Sequence, residues 1–368
     1  MSGKLSNRFL QSSCIPKARQ IEQKARHRPH PPRLHRSGRG RSARRCALKP
    51  MKRSLITSHD RQIINWLLEG DVSVQYQVYR DLINIEKRNL RNRIAAEGWG
   101  VKLLSYRKKD GHWGDRFYQP KWISTHYTIL DIKKLSISPN NKEIRQSIMQ
   151  VIRSLKGPDG GIYPIGKNRK SDVCVNGMFL NYATYFLIDE DELKSIVDFL
   201  ISEHMRDGGF NCYSNTIGAI HSSLHSTISV LEGISEYENN GYEYRIEELQ
   251  DAAKKSIEFI LQHKLFRSHR TGKIIDKKML MLSYPSRWKY DILRALDYFQ
   301  YVGVDYDPRM QDALDILKEK RRKDGKWPVQ AKHPGQTHFD MEKTGGPSRW
   351  NTLRALRVLN HFNKDHMA

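Results

Sequence analysis

The chain has 368 residues, 38% of them apolar and 10% aromatic, with a mean hydropathy of −0.70, enough for one large or two ordinary cores. No stretch approaches the roughly 20 uninterrupted apolar residues of a membrane-spanning helix, and the start lacks the pattern of a secretion signal, which argues against a membrane-spanning protein. The formal net charge of +24 is concentrated at the start, where residues 1–50 hold 14 Lys/Arg and one acid, Glu22.

That basic tail, residues 1–50, is expected to be disordered, because its run HRPHPPRLHRSGRGRSARR has almost nothing to bury against the loss of chain entropy. Three readings of it stay open: a transit peptide, a polyphosphate- or nucleic-acid-binding arm, and a gene-model extension upstream of a natural start at Met51. The body, residues 51–368, carries no finger, homeodomain or RNP-type motif, so no specific nucleic-acid partner is expected. Its two cysteines, Cys174 and Cys212, are too few for a disulfide framework and fit a reducing, cytoplasmic setting.

In residues 60–87, Ile63/Ile64/Leu67/Leu68 and Val74/Val78/Leu82/Ile85 have helical spacing on either side of the break Glu69-Gly70-Asp71, which predicts a first helical pair. Asp110-Gly111 then precedes a helix carrying Ile123/Tyr127/Leu130. Ile144/Ile148/Val151/Leu155 mark the next helix, followed by Asp159-Gly160 and by Val175/Phe179/Tyr182. The pattern recurs as Leu193/Ile196/Val197/Leu200, Asp207-Gly208 and Leu224/Ile228/Leu231. Around Gly272 the run RTGK takes the turn's place before Trp288/Ile292/Ala295, and Asp324-Gly325 precedes the last helix. Twin PSRW elements, at 285–288 and 347–350, are expected to begin the last two inner helices, since proline and serine suit a helix start.

The Asp-Gly turns are spaced by 49, 48 and 117 residues, the long gap holding two units. Six helical hairpins, twelve helices, follow. The second helix of each pair is the more apolar and aromatic, and a helix apolar nearly all round must be buried. The expected fold is therefore all-α: an α/α toroid with the second helices inside.

The turn contexts KKDGHWGD, GPDGGIYP, MRDGGFNC and RKDGKWPV resemble those of the terpenoid cyclase and protein prenyltransferase superfamily, over about residues 60–362. The resemblance implies a prenyltransferase or squalene cyclase-like enzyme acting on an isoprenoid, as its diphosphate, in the toroid cavity. The turns all join outer to inner helices, so they gather at one rim of the ring beside the inner-helix N-termini, which attract anions. Lys121, Lys167, Arg169, Lys170, Arg287, Lys289 and Arg349 lie near those starts, and Lys167, Arg169, Lys170, Arg287 and Arg349 are the candidate diphosphate ligands.

The segment DGGIYPIGKNRKSDVCVNGMF resembles the zinc-binding segment of protein prenyltransferase β subunits, where a basic cluster precedes an Asp-x-Cys pair. The resemblance implies zinc held by Asp172, Cys174 and a histidine of the next hairpin. His225 is preferred because HSTISVLEG resembles the family's run from its His to a later Gly, although it is one residue longer here; His221 and Cys212 are the alternatives. A separate partner subunit, as those β subunits have, stays open. For a cyclase, no D-x-D-D acid exists: 189–192 reads as the acidic start of an outer helix, and Asp172 and Asp291 are the candidate acids. Two other functions stay open, a non-catalytic toroidal binding protein and a polysaccharide-active α/α-barrel enzyme, the latter requiring paired carboxylates reaching into the ring.

Overall fold

A computed structural model describes residues 58–164 and 170–362, with side chains from residue 61 onward. The basic tail, residues 1–50, lies outside the described residues. Fourteen α-helices run in order among the described residues: α1 (Ser58–Leu68), α2 (Val72–Asp81), α3 (Arg88–Arg93), α4 (Gly98–Ser105), α5 (Thr125–Lys134), α6 (Lys142–Leu155), α7 (Val173–Tyr185), α8 (Glu190–Ser202), α9 (Ser214–Ile217), α10 (Leu224–Asn239), α11 (Ile246–Gln262), α12 (Ile292–Val302), α13 (Gln311–Glu319) and α14 (Arg349–Phe362). Twelve of them form the six expected hairpins, and α3 and α9 are short additions in the connections. The strands among the described residues are two residues long each, β1 (Trp327–Pro328) and β2 (Pro347–Ser348), paired antiparallel.

The second helices α2, α5, α7, α10, α12 and α14 form the inner ring. Along it α5 packs on α7, α7 on α10, α10 on α12, α12 on α14, and α14 returns to α2. The Gln77 side chain completes the circuit by donating to the Lys134 carbonyl at 2.8 Å. The chain is thus an α/α toroid. Every residue of α7 is buried, its polar Asn176, Asn181 and Thr184 donating to the Ile162, Glu232 and Leu180 carbonyls.

The Asp-Gly turns form one repeated device. Gly111, Gly160, Gly208 and Gly325 have φ of 87°, 87°, 93° and 78°, a conformation that a side chain resists. Two residues on, the backbone N–H groups of Trp113, Phe210 and Trp327 each donate to a threonine of the following inner helix, Thr125, Thr227 and Thr352, at 3.0 Å. Ile162 uses Asn176 in the same way at 2.7 Å. On the other side, Ser147, Ser195 and Ser256 of the next outer helix donate to the carbonyls of Gly111, Gly160 and Gly208 at 2.6, 3.0 and 2.8 Å. The first three turns therefore each tie their own hairpin to the next outer helix.

The twin PSRW elements behave differently. In the second, Arg349 and Trp350 open α14. In the first, Arg287 takes a left-handed φ of 57°, and α12 starts only after Asp291, whose carboxylate accepts the Arg294 N–H at 2.8 Å.

Buried ion pairs link the inner helices. Arg294 pairs with Glu232 at 2.7 Å and Lys133 with Glu236 at 2.8 Å. Arg357 bridges Asp297 and Asp81, joining α12, α14 and α2. Such pairs hold Asp81 and Glu232 at a pKa of about 2, against burial that alone would raise them.

Candidate functional site

Three ligand-type side chains converge at the N-terminal rim between α7 and α10. The Asp172 carboxylate caps α7 by accepting the Val175 N–H at 3.2 Å. Cys174 follows in the first turn and is 7% exposed. Its N–H donates to the Cys212 sulfur at 3.2 Å, and Cys212 N–H donates to Ser226 Oγ at 3.1 Å. A carboxylate oxygen of Asp172 and the sulfurs of Cys174 and Cys212 all lie within 4.8 Å of one another. The Cys174 thiol is raised well above its usual pKa by its contact with Cys212, then by burial and by the Asp172 carboxylate. Tyr118 adjoins this group, and its hydroxyl meets that of Tyr127 at 3.0 Å.

Close approach of α7 to α10 makes the convergence. A Cβ on Gly177 would stand 2.7 Å from the Val230 Cα, and one on Gly233 would strike the Gly177 carbonyl. Glycine at both positions lets the two helices touch backbone to backbone.

Among the described residues no histidine joins the group, in contrast to the expectation for His225 and His221. His225 Nδ1 accepts the Tyr290 N–H at 2.8 Å and its ring meets Trp288 edge-on at 5.2 Å. Burial, then Lys289 and Arg294, lowers its pKa to about 4. The position facing Cys212 belongs to Ser226, and one residue along a helix is a rotation of about 100°. His221 is exposed in the loop before α10, its carbonyl accepting from Asn211 at 2.7 Å.

The expected anion ligands divide. Lys167 and Arg169 lie outside the described residues. Lys170 donates to the Asn215 carbonyl. Arg349 donates through Nε to the Trp66 carbonyl at 3.0 Å and covers the Trp66 ring, and Arg287 is buried in an ion pair with Asp131. Of the expected rim cations among the described residues, Lys121 and Lys289 are left for an anion, their Nζ atoms 5.2 and 3.8 Å from the Trp288 ring centre. Burial, followed by Lys121 and Lys278, lowers the Lys289 pKa. Lys121 also lies 5.9 Å from the Tyr118 ring, which links this cationic patch to the cysteine group. Asp291 caps α12, and burial raises its pKa.

A second feature was not legible as a site in the sequence. A small cleft, with internal space of only about 30 Å³, is lined by Trp122, Asp131, Tyr284, Arg287, His333 and His338 among others. The loop 331–346 covers it. Trp122 Nε1 donates to the Pro334 carbonyl at 2.5 Å, and His338 Nε2 meets Thr128 Oγ1 at 2.9 Å while its ring stacks on Tyr106. Glu342 closes the loop by accepting the N–H groups of Arg349 and Trp350 at 2.6 and 3.2 Å, which caps α14. The available sequence signal was Asp131 and Lys134, charged residues inside an inner helix that otherwise reads as apolar.

No protein-family model matches the chain, and no curated protein does. Solved structures of similar shape include a polysaccharide lyase, 11% identical, with 84% of this chain and 98% of that one covered and a TM-score of 0.48. A glycosyl hydrolase family 88 protein from Bacteroides vulgatus is 12% identical over 83% and 99%, at 0.44. A variant of the type II terpene cyclase MstE from Scytonema, in complex with geranylgeranyl dihydroxybenzoate, is 12% identical over 79% and 86%, at 0.40. These likenesses assign neither a family nor an activity.

Proposed function

We propose that this chain is a zinc-assisted toroid enzyme of prenyltransferase or terpenoid cyclase type, with its reaction centre on the N-terminal rim. The observation that carries the proposal is the convergence of Asp172, Cys174 and Cys212 from two consecutive hairpins within 4.8 Å. Two thiols and a carboxylate are a donor set that suits zinc, and three protein ligands leave one tetrahedral position for substrate or water. When bound there, zinc supplies Lewis acidity and lowers the pKa of a thiol or water in that position. The chain's own part is positional. Asp172 holds Cys174 in the first turn of α7 through its cap, Ser226 orients Cys212, and the lysine pair on Trp288 offers charge to an anion.

The favoured substrate is an isoprenoid diphosphate, its anionic end at Lys121 and Lys289 and its chain along the rim aromatics Tyr118, Trp122 and Trp288. Ion pairs between the inner helices favour the rim over the toroid cavity for that chain. For cyclisation the acid is Asp291, whose burial favours the protonated form. The same ion pairs also support a second reading, a binding protein that holds the same ligand without turnover.

Metal analysis and calorimetry test both readings. About one zinc per chain, lost in Cys174→Ala and Cys212→Ala, and binding of farnesyl or geranylgeranyl diphosphate that weakens in Lys289→Ala are the expected results. A metal-replete preparation without zinc removes the metal chemistry; binding without product over long incubation favours the second reading.

A further inference from the structure

We propose that the N-terminal rim docks on the surface of a bilayer containing anionic lipids, through the connections 211–222 and 264–278. These run from outer to inner helix, from α8 to α10 and from α11 to α12, so they leave the same end of the ring. They adjoin, because His225 at the start of α10 accepts the N–H of Tyr290, just before α12, at 2.8 Å. Among the described residues, five of the eight large apolar side chains exposed to solvent lie on them. Tyr213, Ile217 and Ile220 are 61, 78 and 80% exposed, and Ile274 and Ile275 are 38 and 45% exposed. Single exposed apolar residues are ordinary, but this concentration on one rim marks an interaction surface.

Both connections are built to hold these side chains outward. In the first, the Asn211 amide donates to the His221 carbonyl at 2.7 Å and the Asn215 amide to the Ser171 carbonyl at 2.9 Å, which pins the base. In the second, the Ser268 N–H donates to the Lys273 carbonyl at 2.8 Å and the Ile275 N–H to the Phe266 carbonyl at 3.0 Å, which closes a hairpin. Gly218 and Gly272 turn the two tips with φ of 70° and 67°, and beyond its chain neighbours neither has an atom within 4 Å of where a Cβ would stand. The tips therefore stand clear of the toroid.

Charge selects the occupant. Residues 264–278 hold six Lys/Arg and one acid, Asp276. Asp276 is spent on accepting the Lys278 N–H at 2.8 Å, and Arg267 is paired with Asp312 at 2.9 Å. Lys264, Arg270, Lys273, Lys277 and Lys278 are exposed, and none is in an ion pair among the described residues. Apolar side chains on two tips with cations beside them fit the boundary of a bilayer, where isoleucines enter the acyl region and lysines meet lipid phosphates. A protein partner is met by one packed face with few charges at its centre, which two separate tips flanked by lysine do not offer.

The surface does not rest on the metal reading, although Cys212 lies at the base of the first connection. Flotation of the full chain with vesicles of phosphatidylcholine, with and without phosphatidylserine, tests it. The chain floats with the phosphatidylserine vesicles. The pair Ile217→Ser with Ile220→Ser lowers the ratio of bound to free protein about tenfold, as do Ile274→Ser with Ile275→Ser and Lys273→Glu with Lys277→Glu. All six residues are exposed, so the losses come without a change in the melting curve. Cys174→Ala floats as wild type does, which separates this result from any failure of the metal reading. The basic tail, residues 1–50, is present in every variant, and wild-type flotation of both isoleucine pairs would assign the binding to it. That result, absence of flotation, or a wild-type dimer that the isoleucine substitutions dissolve would overturn the proposal.

Discussion

Gly177 of α7 and Gly233 of α10 meet backbone to backbone, and neither has room for a Cβ. That contact sets the distance between the helices that bear Cys174 and follow Cys212. Alanine at either position forces the helices apart, an overpacking cost of about 1–3 kcal/mol. Gly233→Ala should lower the thermal midpoint and also weaken zinc binding, although residue 233 touches no ligand atom. A melting curve and a metal titration on the same protein check both.

The metal set itself is distinguishable by substitution. Cys174→Ala and Cys212→Ala should abolish stoichiometric zinc, whereas His225→Ala should keep it, because Nδ1 of His225 already accepts the Tyr290 N–H. Ser226→His puts an imidazole where Ser226 now meets the Cys212 sulfur at 3.1 Å, and it should tighten zinc binding. Loss of zinc in His225→Ala would show that this histidine turns toward the cysteines when metal is present.

Arg287 and Asp131 are 156 residues apart and both buried. Removing one charge strands the other, which costs about 3–5 kcal/mol. Arg287→Ala should therefore be strongly destabilising, and the double change Arg287→Met with Asp131→Leu much less so. Chemical denaturation of the singles and the double gives the coupling; equal losses would mean that the pair is not buried in solution.

His225, His333 and His338 have pKa values lowered to about 4, burial being the first cause in each. In the unfolded chain they titrate near 6.5. Between these values the unfolded state binds protons that the folded state does not, so stability falls as pH drops from about 6.5 to about 4. Each histidine contributes at most about 1.4 kcal/mol per pH unit in that window. His338→Gln should flatten the slope there while changing little at pH 8. Denaturation midpoints measured across pH 4–8 for wild type and variant provide the check; parallel curves would show His338 already protonated or exposed.

The sequence by itself determined the hairpin count, the helix faces and the turns. Asp-Gly at 110, 159, 207 and 324 was legible because a left-handed glycine preceded by a self-bonding Asp is a local device, and apolar residues three and four apart are a local pattern. Asp172 next to Cys174 was legible for the same reason, as neighbours at a helix start. Only the tertiary structure decided that Ser226 rather than His225 faces the cysteines, because the phase of α10 against α7 is set by Gly177 and Gly233, contacts between separate hairpins. It also decided that Arg287 pairs with Asp131, that ion pairs link the inner helices, and that the 331–346 loop roofs a cleft. Those outcomes rest on which charges meet across the ring, and spacing along a chain carries no record of partners more than a hundred residues away.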